Sequence, residues 1–205
     1  MDWPLGMALG LAAYLMGSVP SAYILVYLLR KDDIRSFGTG NVGALNTYHQ
    51  VGLWGAILVL TADAGKGALV FLIPVWLGAP GWTVFLTTSM VVAGHNWPVF
   101  LGFRGGKGAA AILGISLAVA PGLTLIAAGP TLLVVLLLRN VVLGTVVGFV
   151  VLNALLVLTS QPPDQLILCL FLTLVVTTTY LASAWDHIIN SIKQRRWREL
   201  FTGLA

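Results

Sequence analysis

Residues 121–159 read PGLTLIAAGPTLLVVLLLRNVVLGTVVGFVVLNALLVLT, so two long apolar runs are separated by only Arg139 and Asn140. A helix of roughly 20 apolar residues can span a bilayer, so runs of this kind are typical of membrane-spanning helices. The rest of the 205-residue chain has the same character, because it is 58% hydrophobic and only 9% charged. The sequence therefore predicts an all-α, polytopic membrane protein with a single domain over residues 1–205.

Seven apolar segments can be counted, approximately residues 3–29, 53–79, 82–94, 108–120, 123–138, 141–159 and 166–183. If each crosses the membrane, all eleven Lys and Arg fall on one side, which the positive-inside rule identifies as the cytoplasm. A single helix over residues 108–138 would divide these cations, so we expect a turn at Pro121-Gly122. The N-terminus is then outside and the C-terminus cytoplasmic. Several segments are shorter than a full span, and for these a tucked or re-entrant helix is the alternative.

The segment GFRGGKG at residues 102–108, which we call the lysine loop, places four glycines and two cations in seven residues. Glycines allow backbone N–H groups to approach a ligand closely, and lysine and arginine supply charge that suits phosphate oxygens. A loop that only orients the protein in the membrane would need the cations but not the glycines. We therefore predict an anion-binding site formed by Arg104, Gly105, Gly106, Lys107 and Gly108.

A second glycine-rich segment, FGTGNVGALN at residues 37–46, follows the first apolar segment, and we call it the asparagine loop. Asparagine tolerates left-handed backbone conformations, and its amide can hydrogen-bond a ligand hydroxyl. An ordinary polar loop is the alternative interpretation. A dinucleotide-binding fingerprint is excluded, because the glycine spacing is wrong and no strand-helix-strand unit is available. The candidate ligand contacts are Gly38, Thr39, Gly40, Asn41 and Asn46.

Asp63 and Lys66 are three residues apart in an otherwise apolar segment, which puts them on one helical face near its cytoplasmic end. Ionisable side chains at that depth usually face the interior of the protein or a polar cavity. The two charges would then neutralise each other. The alternative is that Lys66 is a third cation above a bound phosphate.

Two further places combine polar side chains at the inner end of an apolar segment. His95 lies nine residues before Arg104 and therefore close to the lysine loop. His187 and Asn190 are three residues apart, so one helical turn would present both to the same pocket. A single histidine at such an interface is more often structural than catalytic.

Several catalytic patterns are missing from the sequence. The lysine loop does not fit the Walker A pattern, because Leu101 stands where the first glycine belongs and Gly108 replaces the residue that would hold magnesium. The chain contains no carboxylate cluster typical of a metal site, no Gly-x-Ser-x-Gly elbow and no Cys/His pair. These gaps argue against covalent and metal-dependent catalysis.

Taken together and in this order, the motifs resemble the bacterial acyl-phosphate-dependent glycerol-3-phosphate acyltransferases, the PlsY type. The matching blocks start at Gly17-Ser18-Val19-Pro20 and include both glycine-rich loops. They also include Asp63-x-x-Lys66-Gly67, His95-x-x-Pro98 and His187-x-x-Asn190.

The resemblance implies a seven-span enzyme of the bacterial cytoplasmic membrane whose active site faces the cytoplasm. It would move a fatty acyl group from acyl phosphate to the 1-hydroxyl of sn-glycerol 3-phosphate, giving lysophosphatidic acid and phosphate. The expected partners are the two substrates and membrane lipids, with no cofactor, metal or nucleic acid. Catalytic roles would fall to Lys107, His187 and Asn190, and substrate contacts would also come from Lys66, His95 and Thr145.

The sequence departs from the family pattern where polar side chains are usual. The positions concerned are Leu45, His49, Ala111, Val142 and Ile188. A weakened paralogue and a small anion- or lipid-binding membrane protein therefore remain alternatives. An acyltransferase that uses acyl-CoA or acyl carrier protein is disfavoured, because such enzymes place Asp five residues after the histidine and Phe100 stands there.

Overall fold

The computed structural model describes residues 3–193, apart from the side chains of residues 186–188 and 190–193. The predicted site residues His187 and Asn190 therefore lie outside the described side chains. The helices are α1 Trp3–Ser18, α2 Ser21–Arg30, α3 Ala44–Val51, α4 Leu53–Trp76, α5 Gly81–Asn96, α6 Ala109–Val119, α7 Pro121–Leu138, α8 Val141–Leu158 and α9 Pro163–Lys193. Two 3₁₀ turns, Ile34–Ser36 and Val99–Leu101, complete the regular structure of this part of the chain.

This architecture confirms the all-α membrane fold predicted from the sequence. In the described part of the chain, six helical stretches are long and apolar enough to cross a membrane, and α1 with α2 forms the first of them. The eleven-residue α6 is shorter than a full span. A helix boundary lies where the turn was expected, because α6 ends at Val119 and α7 begins at Pro121. The reversal of the chain at Pro121-Gly122 stays a prediction.

The first apolar segment differs from the continuous helix that its composition suggests. It is broken at Val19-Pro20, between α1 and α2. Proline has no N–H to donate, and its ring disfavours helical geometry at the preceding residue, so a break here is physically reasonable. A second difference is α3, because the last three residues of the asparagine loop already belong to this short helix.

The helices form two compact units, Met1–Val119 and Ala120–Ala205. In the first unit, α1 and α5 run parallel with their backbones in contact. A Cβ added at Gly17 would collide with the carbonyl of Val91, and one at Gly94 would collide with the carbonyl of Tyr14. Small residues at such crossings are typical of helix packing in membranes, where close van der Waals contact stabilises the pair.

In the second unit, α8 packs between α7 and α9. Gly148 of α8 makes room for Thr131 of α7, and Asn153 donates to the Thr173 hydroxyl of α9 at 2.8 Å. Outward-facing leucines such as Leu137 and Leu158 are 72% and 79% exposed, as expected for side chains in contact with lipid.

The contact between α4 and α6 gives a direct test of the fold. Gly114 of α6 faces the Ala64 carbonyl so closely that a Cβ would collide with it, whereas the surroundings of Gly129 in α7 are open. We expect Gly114→Ala to destabilise the protein by about 1–3 kcal/mol. The matched Gly129→Ala change should be neutral or stabilising by up to about 1 kcal/mol. Thermal melting in detergent compares the two, and equal melting temperatures would contradict the α4–α6 packing.

Candidate active site

The lysine loop is folded back onto the end of α5. The N–H groups of Gly105 and Gly106 donate to the carbonyls of Asn96 and His95, at 3.1 and 3.0 Å. Gly108 has φ +79°, a conformation that favours glycine, and a side chain there would press on Asn96. The loop therefore follows a fixed path into α6.

The loop delivers its cations to the N-terminus of a helix. The first bond within α6 runs from the N–H of Ile112 to the carbonyl of Gly108, so the N–H groups of residues 109–111 project from the helix end. Lys107, two residues before α6, is half-buried, and Arg104 of the same loop is exposed. Burial lowers the pKa of Lys107 below its ordinary value. Projecting amides together with two cations make a site suited to a phosphate group.

The asparagine loop also leads into a helix N-terminus, that of α3. Gly38 and Gly40 have φ of +54° and +67°, so the loop uses the left-handed conformations expected from its composition. Asn46 is fully buried, and its Nδ2 lies 3.0–3.1 Å from the carbonyls of Ile34, Phe37 and Asn41. Asn46 thus supports the loop from inside, while Thr39 is exposed and Asn41 is half-buried at its surface.

The two loops meet. A Cβ at Gly106 of the lysine loop would collide with the imidazole of His95 and would lie 2.7 Å from the Val42 carbonyl of the asparagine loop. Both loops also rest on one apolar cluster, to which the buried side chains of Ile34, Val42 and Leu101 belong. The lysine loop and the asparagine loop therefore form adjacent walls of a single site.

Below the loops, Lys66 and Asp63 hold the break between α1 and α2. The Lys66 ammonium lies 3.0 Å from Asp63 Oδ1 and donates to the carbonyls of Gly17 and Val19 at 3.0 and 3.3 Å. Asp63 Oδ1 also accepts from the Ser21 hydroxyl at 2.9 Å. The cation thus meets the C-terminal carbonyls of α1, and the carboxylate meets the first residue of α2, which is the favourable polarity at both helix ends.

A small cavity lies between the helix break and the loops. It is lined by the break itself and by Val42, Asp63, His95, Pro98 and Gly105. His95 Nδ1 is 3.9 Å from Asp63 Oδ1, which is longer than a hydrogen bond. His95 is 8% exposed, and in this structure its carbonyl and its ring both support the lysine loop.

The remaining predicted contact, Thr145, belongs to the second unit. Its hydroxyl donates to the Val141 carbonyl of its own helix at 2.7 Å, and Tyr180 of α9 lies within hydrogen-bonding reach. Both residues are half-buried. Thr145 is therefore a half-buried polar residue of α8. A contact between Thr145 and a substrate stays a prediction.

Two site residues in the first unit were missed by the sequence analysis. Ser21 carries no recognisable motif, although its position directly after Pro20 is a helix-start signal. Arg35 pairs with Asp33, and hydrogen bonding to Arg35 lowers the pKa of the Asp33 carboxyl while the pKa of the guanidinium is raised by the same bond. The Asp33-x-Arg35 spacing is a weak signal, because a local ion pair of this kind is common on protein surfaces.

The fold defines an integral membrane protein in which two glycine-rich loops lie against each other. Comparison with known proteins makes this specific, because a family profile described as glycerol-3-phosphate acyltransferase matches residues 7–194. Glycerol-3-phosphate acyltransferase 4 of Dehalococcoides mccartyi (strain ATCC BAA-2266 / KCTC 15142 / 195) is 38% identical over 186 residues, which cover 90% of this chain and 96% of that protein. The chain belongs to the glycerol-3-phosphate acyltransferase family.

Other similarities agree with this membership. Glycerol-3-phosphate acyltransferase 2 of Dehalococcoides mccartyi (strain CBDB1) is 47% identical over 105 residues, which span 51% of this chain and 50% of that protein. The fold resembles the crystal structure of PlsY (YgiH), an integral membrane glycerol 3-phosphate acyltransferase, in its glycerol 3-phosphate form. That match has a TM-score of 0.81 and 30% identity, and it covers 93% of both chains. The lysophosphatidic acid form of PlsY gives a TM-score of 0.79 and 29% identity.

The buried ion pair predicts a characteristic stability pattern. Lys66→Met leaves the Asp63 carboxylate buried without its cation, so we expect a loss of about 3–5 kcal/mol in folding free energy. The double change Asp63→Asn with Lys66→Met removes both charges and should recover part of that loss, because the Gly17 and Val19 carbonyls still lack the Lys66 donor. Melting in detergent measures both variants. If the single variant were as stable as the double variant, the Asp63–Lys66 pair would not stabilise the break between α1 and α2.

Proposed function

We propose that this protein transfers a fatty acyl group from acyl phosphate to the 1-hydroxyl of sn-glycerol 3-phosphate. The hydroxyl oxygen attacks the acyl carbon, an ester bond forms, and the anhydride bond to phosphate breaks. The products are lysophosphatidic acid and inorganic phosphate. The observation that carries this proposal is the contact between two glycine-rich loops, each ending at a helix N-terminus, because a reaction between two phosphate-bearing substrates needs two adjacent anion sites.

In this reaction the lysine loop holds the phosphate of the acyl donor. Negative charge grows on that phosphate as the anhydride bond breaks, and the projecting amides of residues 109–111 with Lys107 and Arg104 stabilise it. Because Gly105 and Gly106 are bonded to the end of α5, these donors are already oriented before the substrate arrives.

The asparagine loop positions glycerol 3-phosphate. Thr39 and Asn41 lie at the loop surface, where a hydroxyl and an amide can contact the polyol, while Asn46 keeps the loop shape from below. Holding the attacking oxygen beside the acyl carbon accelerates the transfer, because the two substrates no longer have to meet in a bimolecular encounter. The hydroxyl proton passes either to an oxygen of the acyl phosphate itself or to His187 with Asn190.

The same proposal includes the location. Apart from Lys66 within α4, the described lysines and arginines of the first unit lie at the end of α2 or in the segments between α2 and α3 and between α5 and α6, at the ends that the positive-inside rule assigns to the cytoplasm. The site would therefore face the cytoplasm, where glycerol 3-phosphate is available in water, and the acyl chain would enter from the bilayer.

A turnover assay tests the proposal directly. Purified protein in detergent or bicelles receives labelled glycerol 3-phosphate with palmitoyl phosphate, and in a parallel arm with palmitoyl-CoA. We expect labelled lysophosphatidic acid from the acyl phosphate only. Product from palmitoyl-CoA alone would show that the acyl donor is acyl-CoA and not acyl phosphate. Binding of glycerol 3-phosphate without product from either donor would favour a weakened paralogue or a binding protein.

Lys107 should be essential to this activity. We expect Lys107→Ala to lower kcat/KM by about 10²–10³-fold, because one preorganised charge at the leaving phosphate is lost. Lys31→Ala is the matched control, since Lys31 is exposed at the end of α2 and lies outside both loops. Equal activity of the two variants, with unchanged melting temperatures, would remove Lys107 from the site.

The lowered pKa of Lys107 also predicts a pH dependence. Burial disfavours the charged form, so Lys107 loses its proton at a pH below the ordinary lysine value of 10.5 as the solution becomes alkaline. We expect kcat/KM for acyl phosphate to fall as pH rises through that pKa. Lys107→Arg keeps its charge throughout and should flatten the alkaline limb. An identical limb in both proteins would show that another group titrates.

A further inference from the structure

Arg35 joins three structural elements through one guanidinium group. Its Nε and one terminal nitrogen form a fork on the Asp33 carboxylate, at 3.0–3.1 Å and 2.6 Å respectively. The other terminal nitrogen donates to the Leu101 carbonyl at 3.0 Å. The guanidinium also lies 5.8 Å from the centre of the Tyr23 ring on α2, within reach of a cation–π contact.

The two ends of this connection lead to the two loops. Arg35 sits in the 3₁₀ turn Ile34–Ser36, which leads into the asparagine loop and whose Ile34 carbonyl accepts from Asn46. Leu101 is the last residue of the 3₁₀ turn Val99–Leu101 and immediately precedes the lysine loop. The Arg35 side chain thus connects the segments that precede the two loops, although Arg35 and Leu101 are 66 positions apart in the sequence.

We propose that Arg35, held by Asp33, is a positioning residue that fixes the separation of the asparagine loop and the lysine loop. This inference rests on the proposed function, in which each loop binds one substrate. Arg35 contacts neither substrate in this account. It acts through the Leu101 carbonyl, and so it sets how the attacking hydroxyl is aligned with the acyl carbon.

The apolar cluster below the loops keeps them attached when Arg35 is changed, so the role of Arg35 can be tested in a folded protein. Ile34, Val42 and Leu101 are buried in that cluster, so both loops keep their attachment when the guanidinium is removed. The ion pair itself is about one-third exposed, with side chains 31% and 37% accessible, and pairs of that kind contribute little to stability. Loss of the connection should therefore allow small relative shifts of the loops in a folded protein.

Such a shift has a specific kinetic signature. Each loop retains its own amides and side chains, so each substrate binds nearly as before and each KM changes little. The transfer step needs both substrates in register, and a displacement of about 1 Å at a reacting centre can cost up to about 100-fold in rate. The effect should therefore fall on kcat.

The test compares Arg35→Gln and Arg35→Lys with wild type, measuring kcat and both KM values with palmitoyl phosphate and glycerol 3-phosphate. We expect kcat to fall about 10-fold or more in both variants, with each KM within about 3-fold of wild type. Lysine should fail as a substitute, because a single ammonium cannot form the fork on Asp33 and reach Leu101 together. Adding Asp33→Asn to Arg35→Gln should cause no further loss, since both act through one connection.

The matched control is Arg30→Gln. Arg30 is an exposed arginine on the same side of the first unit, and it donates to the Gln50 side chain at 3.2 Å. Its kcat should equal that of wild type. The proposal is overturned if the Arg35 variants keep wild-type kcat, if Arg30→Gln loses as much, or if KM for glycerol 3-phosphate alone rises, which would make Arg35 a direct ligand.

A second measurement does not depend on turnover. The amides of Gly105 and Gly106 are hydrogen-bonded, so their hydrogen–deuterium exchange reports how firmly the lysine loop is held. In Arg35→Gln we expect exchange of this loop to be about 10-fold faster, with Arg30→Gln unchanged. Unchanged exchange in Arg35→Gln overturns the connection. A wild-type protein that fails to use acyl phosphate would refute the proposed function, while this comparison still decides the role of Arg35.

Discussion

The structure of the first unit depends on one buried interaction, that between the Lys66 ammonium and the end of α1. A helix broken at Val19-Pro20 leaves carbonyls that lipid cannot satisfy, and each would cost several kcal/mol if left unpaired. Lys66 supplies the donors, and Asp63 balances its charge while accepting from Ser21 at the start of α2. Because of this arrangement, an apolar segment can be interrupted beside the two glycine-rich loops.

The break has a consequence for the loops above it. Residues of the interruption line the small cavity together with Val42 and Gly105, one from each loop. Glycines then permit the close approaches, since a Cβ at Gly106 would collide with His95 and a Cβ at Gly67 would collide with the Ala111 carbonyl of α6. The charged pair and the glycines thus act together, because charge fixes the helix break and small residues allow the loops and α6 to pack against it.

The sequence predicted the membrane fold, the helix boundary before Pro121 and both glycine-rich loops, because hydropathy, proline and glycine are local signals. The break after Ser18 was missed although Pro20 is a local signal for it, because apolar residues continue on both sides of the proline to residue 29. The hydrogen bond from Arg35 to Leu101 could not be predicted either, because Leu101 lies 66 positions away and offers only a backbone carbonyl. Asn46 was predicted as a ligand contact from its residue type, but the structure places its side chain in the interior. This burial depends on tertiary packing, which the residue type does not reveal.

The described cations of the first unit differ in burial and in the groups that surround them. Lys66 is enclosed, with Asp63 and two backbone carbonyls around its ammonium, so its charge is compensated within the protein. Arg35 is partly exposed and is engaged with Asp33 and Leu101. Lys107 is half-buried two residues before α6, and Arg104 is exposed in the same loop. The described cations of the first unit therefore range from a lysine whose charge is compensated within the protein to an exposed arginine in the lysine loop.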